Sequence, residues 1–219
     1  MIYITTYPLT QRINPMRKLL LTTAAVAAAI AGAVAGETAF GTFTDTRDGQ
    51  TYKTVKMPDG KTWMAQNLNY KTKSGSWCYY DSLSYCKKYG RLYNWKTAKT
   101  VCPNGWKLPS NQEWDSLVTM AHGLSGRKLK SKSGWHDECE RHENGNGTDN
   151  YGFSALPGGG RIFAGVFYNA GDYGYWWTAT EDSGVLAYGR GMNYEIDYVD
   201  EHSFNPSYGF SVRCVADNP

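Results

Sequence analysis

The chain has no long apolar run, only a small net charge and no catalytic signature. Its one hydrophobic stretch, Leu19 to about Ile30, is Ala-rich and too short to span a bilayer comfortably. No transmembrane segment is therefore expected beyond the leader. There is no internal repeat and no further low-complexity tract, which excludes a solenoid or a disordered tail. No G-x-S-x-G, H-E-x-x-H or P-loop occurs, so the sequence gives nucleophilic catalysis little support. Carboxylate neighbours such as Glu181/Asp182 and Asp200/Glu201 point apart in a strand and carry no mechanism. The opposed pair that a glycosidase needs is not visible in a sequence. No catalytic residue is assigned, and the chain is read as a non-enzyme.

What is present begins with an export leader. Met16-Arg17-Lys18 opens a basic n-region, the apolar stretch follows, and Ala33-Val34-Ala35 is a small-x-small cleavage site before Gly36. Met16 is read as the true start, and residues 1–35 as a leader that is removed. No cysteine follows the apolar stretch directly, which argues against a lipid-attached terminus. The remainder, 36–219, suits a single domain with its own core. Residues 36–45 read as a short linker and 46–217 as the domain. The expected location is outside the cytoplasm: secreted, periplasmic or on the outer surface.

The leader carries the whole net charge of +3; the mature chain holds 20 basic and 20 acidic residues. Nucleic acid is therefore not an expected partner. The charge is divided unevenly, with +9 over residues 37–132 and −9 over residues 133–219. The halves either dock by opposed charge or form solvated faces of one globule.

All five cysteines follow the leader, and an oxidising compartment favours bridges. Cys78 and Cys86 flank a short Tyr-rich segment and are natural partners. Cys102 with Cys214 would tie the middle of the chain to its end. The chain-entropy model gives about 2.6 kcal/mol for the short loop and about 4.8 kcal/mol for the long one. Cys139 is left over: free, paired between molecules, or a metal ligand. Spacing alone does not settle the connectivity.

Gln50–Met57 alternates like a strand, Pro58–Lys61 is a turn and Thr62–Ala65 returns, a hairpin pattern. From Tyr89 to Val101, Leu92, Trp95, Ala98 and Val101 recur at three-residue spacing, the apolar face of a short helix. Pro103-Asn104-Gly105 ends it. Ser110 caps a second helix, with Glu113 completing a capping box and Trp114, Leu117, Val118 and Ala121 as its buried stripe; Gly123 stops it. Residues 140–160 read as loop. Strands are expected over 161–168, 175–180, 185–193 and 210–215. The fold class is α+β, with two short helices packed on a twisted, mainly antiparallel sheet with long irregular loops.

Aromatic residues are abundant, with all eight Trp and 15 of the Tyr in the mature chain. Trp63, Trp95, Trp106, Trp114 and Trp176 sit in patterned segments and are read as core. Tyr168, Tyr173, Tyr175, Tyr188, Tyr194, Tyr198, Phe204 and Tyr208 crowd the Gly/Asn-rich C-terminal half. Of these, Tyr188, Tyr194, Tyr198, Phe204 and Tyr208 are the candidate ligand contacts.

Six ordered blocks, GKTWMAQNLNY, YGRLYNW, VCPNGWKLPSNQEW, GTDNYGFSALPGG, GYWWTATE and YGFSVRCV, resemble the Fibrobacter succinogenes major paralogous domain family. They cover roughly Asp45 to Asp217. The resemblance implies an exported bacterial protein, in many members surface-associated. At fold level the same blocks resemble a C-type-lectin-like domain, with Ala98, Cys102, Gly105, Leu108 and Glu113 in its helix-turn-helix slots and WWTATE as its central strand. That resemblance implies a Cys102–Cys214 bridge and a binding face on the C-terminal half. KLPSNQEW and GFSVRC also resemble formylglycine-generating enzymes. Those need a copper-binding cysteine pair near the C-terminus, whereas here Cys214 is the only cysteine after Cys139.

The Glu-Pro-Asn, Gln-Pro-Asp and Trp-Asn-Asp triplets of calcium-dependent lectins are absent, so their sugar site is not encoded. The Glu143–Asn150 run does offer hard oxygen ligands, with Glu143, Asn146 and Asp149 as candidate calcium ligands, or else forms an Asn/Gly turn. His136, Cys139 and His142 form an H-x2-C-x2-H cluster that would need a fourth ligand to hold zinc. No cofactor is expected beyond that structural calcium. The leading expectation is an exported, non-catalytic binding module for an extracellular polysaccharide or an envelope protein. The alternatives are a distant formylglycine-generating oxidoreductase and a structural envelope component.

Overall fold

A computed structural model describes residues 39–137 and 144–217, all within the unit formed by residues 35–219. The residues read as a leader, Cys139, His142 and Glu143 lie outside the described residues. Strand β1 (Ala39–Thr44) pairs antiparallel with β2 (Thr51–Lys56), so residues placed in a linker join a sheet. Its side chains stay mostly exposed, and no apolar alternation announces it. The hairpin continues from β2 through the Pro58–Lys61 turn into β3 (Thr62–Met64). Then come β4 (Ser76–Trp77), a 3-10 turn (Tyr79–Asp81), α1 (Leu83–Tyr89), β5 (Leu92–Tyr93) and α2 (Trp95–Val101). Next are β6 (Trp106–Lys107), α3 (Asn111–Ala121), α4 (Ser125–Leu129), β7 (Gly158–Arg161), β8 (Phe167–Ala170) and β9 (Tyr173–Asp182). The chain ends with β10 (Leu186–Asn193), β11 (Asp200–Phe204), β12 (Phe210–Ser211) and β13 (Val215–Ala216).

Among the described residues the architecture is α+β, with short helices and two sheets. One runs β1-β2-β3-β13-β6 and is antiparallel throughout. The other runs β11-β10-β9-β12-β5-β4, with β7 also on β9 and β8 on β7. It is mixed, because β12 and β7 each lie parallel to β9.

Among the described residues four α-helices form where two were expected. The apolar face read from Tyr89 to Val101 belongs to more than one element. Gly90 ends α1 at φ +78°, Leu92-Tyr93 pairs as a strand, and Asn94 opens α2 by accepting the Thr97 N–H at 3.0 Å. The strand expected over 161–168 splits into β7 and β8 around a turn at Gly165 (φ +87°). Gly158–Gly160, read as loop, lies in β7. At Gly159 (φ +64°) a Cβ would run into the Tyr168 carbonyl and the Ala170 nitrogen, so the close pairing with β8 needs glycine there. The strand expected over 210–215 divides between the two sheets as β12 and β13.

Two apolar clusters fill the interior. In one, Trp63 meets Trp114 edge-on at 5.4 Å and Phe153 at 5.8 Å, with Trp176 beside Trp114. The other gathers Tyr93, Trp95, Trp177, Phe210 and Val212. Trp106, read as core, is only half-buried against Phe43, whereas Trp135 and Trp177 are enclosed. Asn67 joins the clusters. Its Oδ1 accepts from Trp176 Nε1 and Arg213 Nε and Nη2, and its Nδ2 donates to the Tyr89 carbonyl and Ser211 Oγ. Cys78 is bonded to Cys86 and Cys102 to Cys214, with Cα separations of 5.0 and 6.0 Å.

Ion pairs between the +9 and −9 halves are few among the described residues; strand pairing interleaves the two instead. Buried Arg190 on β10 reaches Asn111 and Asp115 of α3 and Glu201 of β11, tying helix to sheet.

The capping box at Ser110 forms in full. Burial pushes the Glu113 carboxyl up, but the Ser110 backbone N–H, Lys107 and Lys61 outweigh it and hold its pKa below the ordinary value. A depressed folded-state pKa stabilises above the unfolded value and is lost as pH falls through the folded one. Glu113→Gln is expected to cost about 1 kcal/mol at pH 7, or about 2–4 °C in Tm. The gap should close on acidification below the ordinary carboxylate range. Thermal melts across that range would refute the assignment if the gap were constant.

Candidate functional site

The segment Trp135–Asp137 is fixed by backbone and side-chain bonds to two distant stretches. The His136 N–H donates to the Gly171 carbonyl at 2.9 Å, and the His136 carbonyl accepts from the Gly145 N–H at 3.0 Å. The Trp135 N–H donates to Asn146 Oδ1 at 3.1 Å, and Asn146 Nδ2 donates to Asp137 Oδ1 at 3.2 Å. His136 Nδ1 lies 3.1 Å from Asp172 Oδ1, and its ring sits 5.1 Å from that of Tyr194. Lys88 and Tyr89 of α1, with Trp135, His136, Asp137, Asn146, Gly171 and Asp172, line an open cleft of about 630 Å³.

The cleft offers carboxylate and amide groups that still have lone pairs or N–H donors for a ligand, beside an imidazole and an ammonium. Such a lining suits several hydrogen bonds to a polar ligand. A second cleft, about 620 Å³, lies by the start of α3, where Lys61 and Lys107 both pair with Glu113 at 3.4 and 3.3 Å. A third, of about 440 Å³, is more apolar and lies against β1, by Phe40, Thr42 and Thr54.

The five expected ligand contacts do not form one surface. Tyr188 lies across from Ser203 on β11 and Phe204 across from Ala187 on β10, so Tyr188 and Phe204 project from opposite faces of the sheet. Phe204 packs on Phe210 at 4.7 Å and Trp177 at 6.3 Å, and Tyr208 on Phe210 at 6.2 Å; both are anchored on the core. Tyr188 hydrogen-bonds Asp182 at 3.3 Å, and the Asp182 charge raises its pKa. Tyr194 flanks the His136 cleft; its hydroxyl donates to Glu195 at 3.0 Å, which raises its pKa. Tyr198 is exposed in the loop before β11.

Of the candidate calcium ligands, Glu143 lies outside the described residues. Asn146 is used within the cleft wall, and the Asp149 carboxylate accepts from Ser154 N and Oγ at 2.8 and 2.6 Å. Among the described residues, no three His, Cys, Asp or Glu side chains gather where they could hold a metal. Of the H-x2-C-x2-H cluster, only His136 is described. Lys88, Asp137 and Asp172 carry no motif. They meet only because segments far apart in the chain converge, so no local pattern could have found them.

These features define a disulfide-stapled α+β domain whose open clefts mix polar and aromatic side chains. A profile of the Fibrobacter succinogenes major domain matches residues 47–216, and the chain belongs to that family. Comparison with curated proteins and with solved structures finds no match. Two disulfides fit an oxidising environment, and no described helix is long and apolar enough to cross a membrane.

Proposed function

We propose that this chain is an exported, non-catalytic binding module with a C-type-lectin-like domain, secreted or held at the cell surface, and that its ligand is a polysaccharide. The carrying observation is the cleft lined by Lys88, His136, Asn146 and Asp172, with the Tyr194 ring packed against that of His136. Its openness admits a polymer that continues past the site, and its carboxylate, amide and imidazole groups match sugar hydroxyls. The α2–Cys102–Cys214 staple and the following capped helix α3 support the lectin-like reading. Cys214 is bonded to Cys102, which argues against the copper-dependent oxidoreductase alternative.

The test is binding of the purified protein to a panel of plant and bacterial polysaccharides, with and without EDTA. Asp172→Asn and Tyr194→Ala are expected to weaken binding about tenfold each, the loss of one good polar or stacking contact worth about 1.4 kcal/mol. EDTA sensitivity would favour a calcium contribution from the Glu143–Asn150 loop. Absence of binding across the panel, with capture of an envelope protein instead, would replace the polysaccharide with a protein partner.

A further inference from the structure

The Cys78–Cys86 bridge encloses a loop with an unusual backbone. Tyr80 and Asp81 are consecutive non-glycine residues at φ +49° and +53°. Each left-handed L-residue costs on the order of 1 kcal/mol or more. Glycine would remove that cost, and burial does not offset it at Tyr80, which is 63% exposed. The strain holds a ring at the surface. Around it stand Tyr79 at 4.6 Å, Phe167 at 5.7 Å and Tyr85 at 6.2 Å between ring centroids.

A cation completes this patch. The Arg161 guanidinium lies 4.1 Å from the Trp77 ring and 5.7 Å from that of Phe167. Among the described residues no carboxylate pairs with it; its one side-chain hydrogen bond is a 3.5 Å contact to the Ile162 carbonyl. Exposed Lys87 and Lys88 follow on α1; Asp81 is the exposed acid of the bridge loop, and Lys88 shares the neighbouring cleft with Asp137 and Asp172. A stacked guanidinium is a planar donor fork matched to carboxylate or sulfate. Rigid tyrosine rings give contact area at low entropic cost and present flat faces to the C–H side of a pyranose. Peptide recognition would draw on a strand edge or on pockets for alternate side chains. Strand β4, at the sheet edge here, has only two residues.

We propose that the Tyr80–Phe167–Arg161 patch binds an anionic polysaccharide. Tyr80 stacks on a sugar ring and Arg161 takes the acid group. The inference rests on the polysaccharide-binding reading and names the class of polymer. The patch adjoins the His136 cleft, since α1 supplies Tyr85 to one and Lys88 and Tyr89 to the other.

The test is titration of the purified protein with polygalacturonate, with a sulfated galactan and with a neutral soluble β-glucan. Variants are Tyr80→Gly, Arg161→Gln and Arg161→Lys. The parent is expected to prefer the acidic polymers and to lose affinity with added salt. Tyr80→Gly removes the ring while suiting the left-handed backbone. It is expected to weaken binding about tenfold while Tm stays within about 3 °C of the parent. Arg161→Gln should abolish the preference for acid, and Arg161→Lys should restore it only in part. Preference for uronate over sulfate would identify the acid group. Parent-like affinity in Tyr80→Gly and Arg161→Gln, or equal binding of the neutral glucan, overturns the patch proposal. If Asp172→Asn alone then weakens binding, the binding-module reading stands without it. No binding of the parent to any of the three polymers overturns the patch proposal, and the wider panel then decides the module reading separately.

Discussion

Asn67→Ala is expected to be the most damaging single substitution away from the cysteines, costing about 3–5 kcal/mol, or roughly 10 °C or more in Tm. Arg213 is fully buried, with its guanidinium 4.4 Å from the Phe153 ring centroid. Burial pushes its pKa down to about 9, still high enough to leave it charged at pH 7. Its charge is met by neutral oxygens: Asn67 Oδ1 at 2.7 Å and the backbone carbonyls of Phe153, Met64 and Ser154. Removing the amide strips two of those bonds, leaves Trp176 Nε1 without its acceptor, and frees the Tyr89 carbonyl and Ser211 Oγ. A buried charge with too few acceptors costs far more than an exposed one. Arg213→Met, which removes the charge itself, is expected to cost less than Asn67→Ala. Urea unfolding would measure both. A loss below about 1 kcal/mol for Asn67→Ala would show that the network is not what joins the two clusters.

The second large effect belongs to the long bridge, whose cysteines lie 112 positions apart in sequence. Replacing Cys102 and Cys214 together by Ala should cost about 4–5 kcal/mol through the freed loop, against about 2–3 kcal/mol for Cys78 and Cys86. The difference has a local reason as well. Cys214 is wholly buried and precedes β13, which lies between β3 and β6, while Cys102 caps the end of α2. The long bridge thus ties a helix end to a central strand. Paired denaturation curves of the two double variants give the ranking, and an equal or reversed order would refute it. The short-bridge variant carries a further expectation: it should impair the Tyr80 patch more than the His136 cleft.

Local features were readable where the partners lie within a few residues. The Ser110/Glu113 box and the turn after Met57 follow from spacing alone and are found; of the Trp114–Leu117–Val118–Ala121 stripe all but the half-buried Val118 are buried. Errors arose where a neighbour from far along the chain decided the outcome. Leu92 and Tyr93 fall within a helical spacing yet pair with β12 and β4, whose backbone groups come from residues 210–211 and 76–77. β1 is held by ladder bonds with few buried side chains, and backbone bonding leaves no mark on composition. Among the aromatics, Tyr188 and Phe204 look alike as sequence. The register between β10 and β11 sends one toward solvent and Asp182, and the other onto Phe210.

By itself the sequence determined the family, the local caps and turns, and the supply of cysteines and aromatics. Each rests on residue identity or on contacts spanning a few positions. Tertiary structure alone decided which aromatics are core and which are surface. It brought Lys88, His136, Asn146 and Asp172 into one cleft and set Arg161 between Trp77 and Phe167. It also surrounded Arg213 with oxygens from residues 64, 67, 153 and 154. The physical reason is that burial and charge compensation depend on what a distant segment places alongside a residue. Here strand pairs such as Phe210 with Tyr93 and Val215 with Trp63 set that.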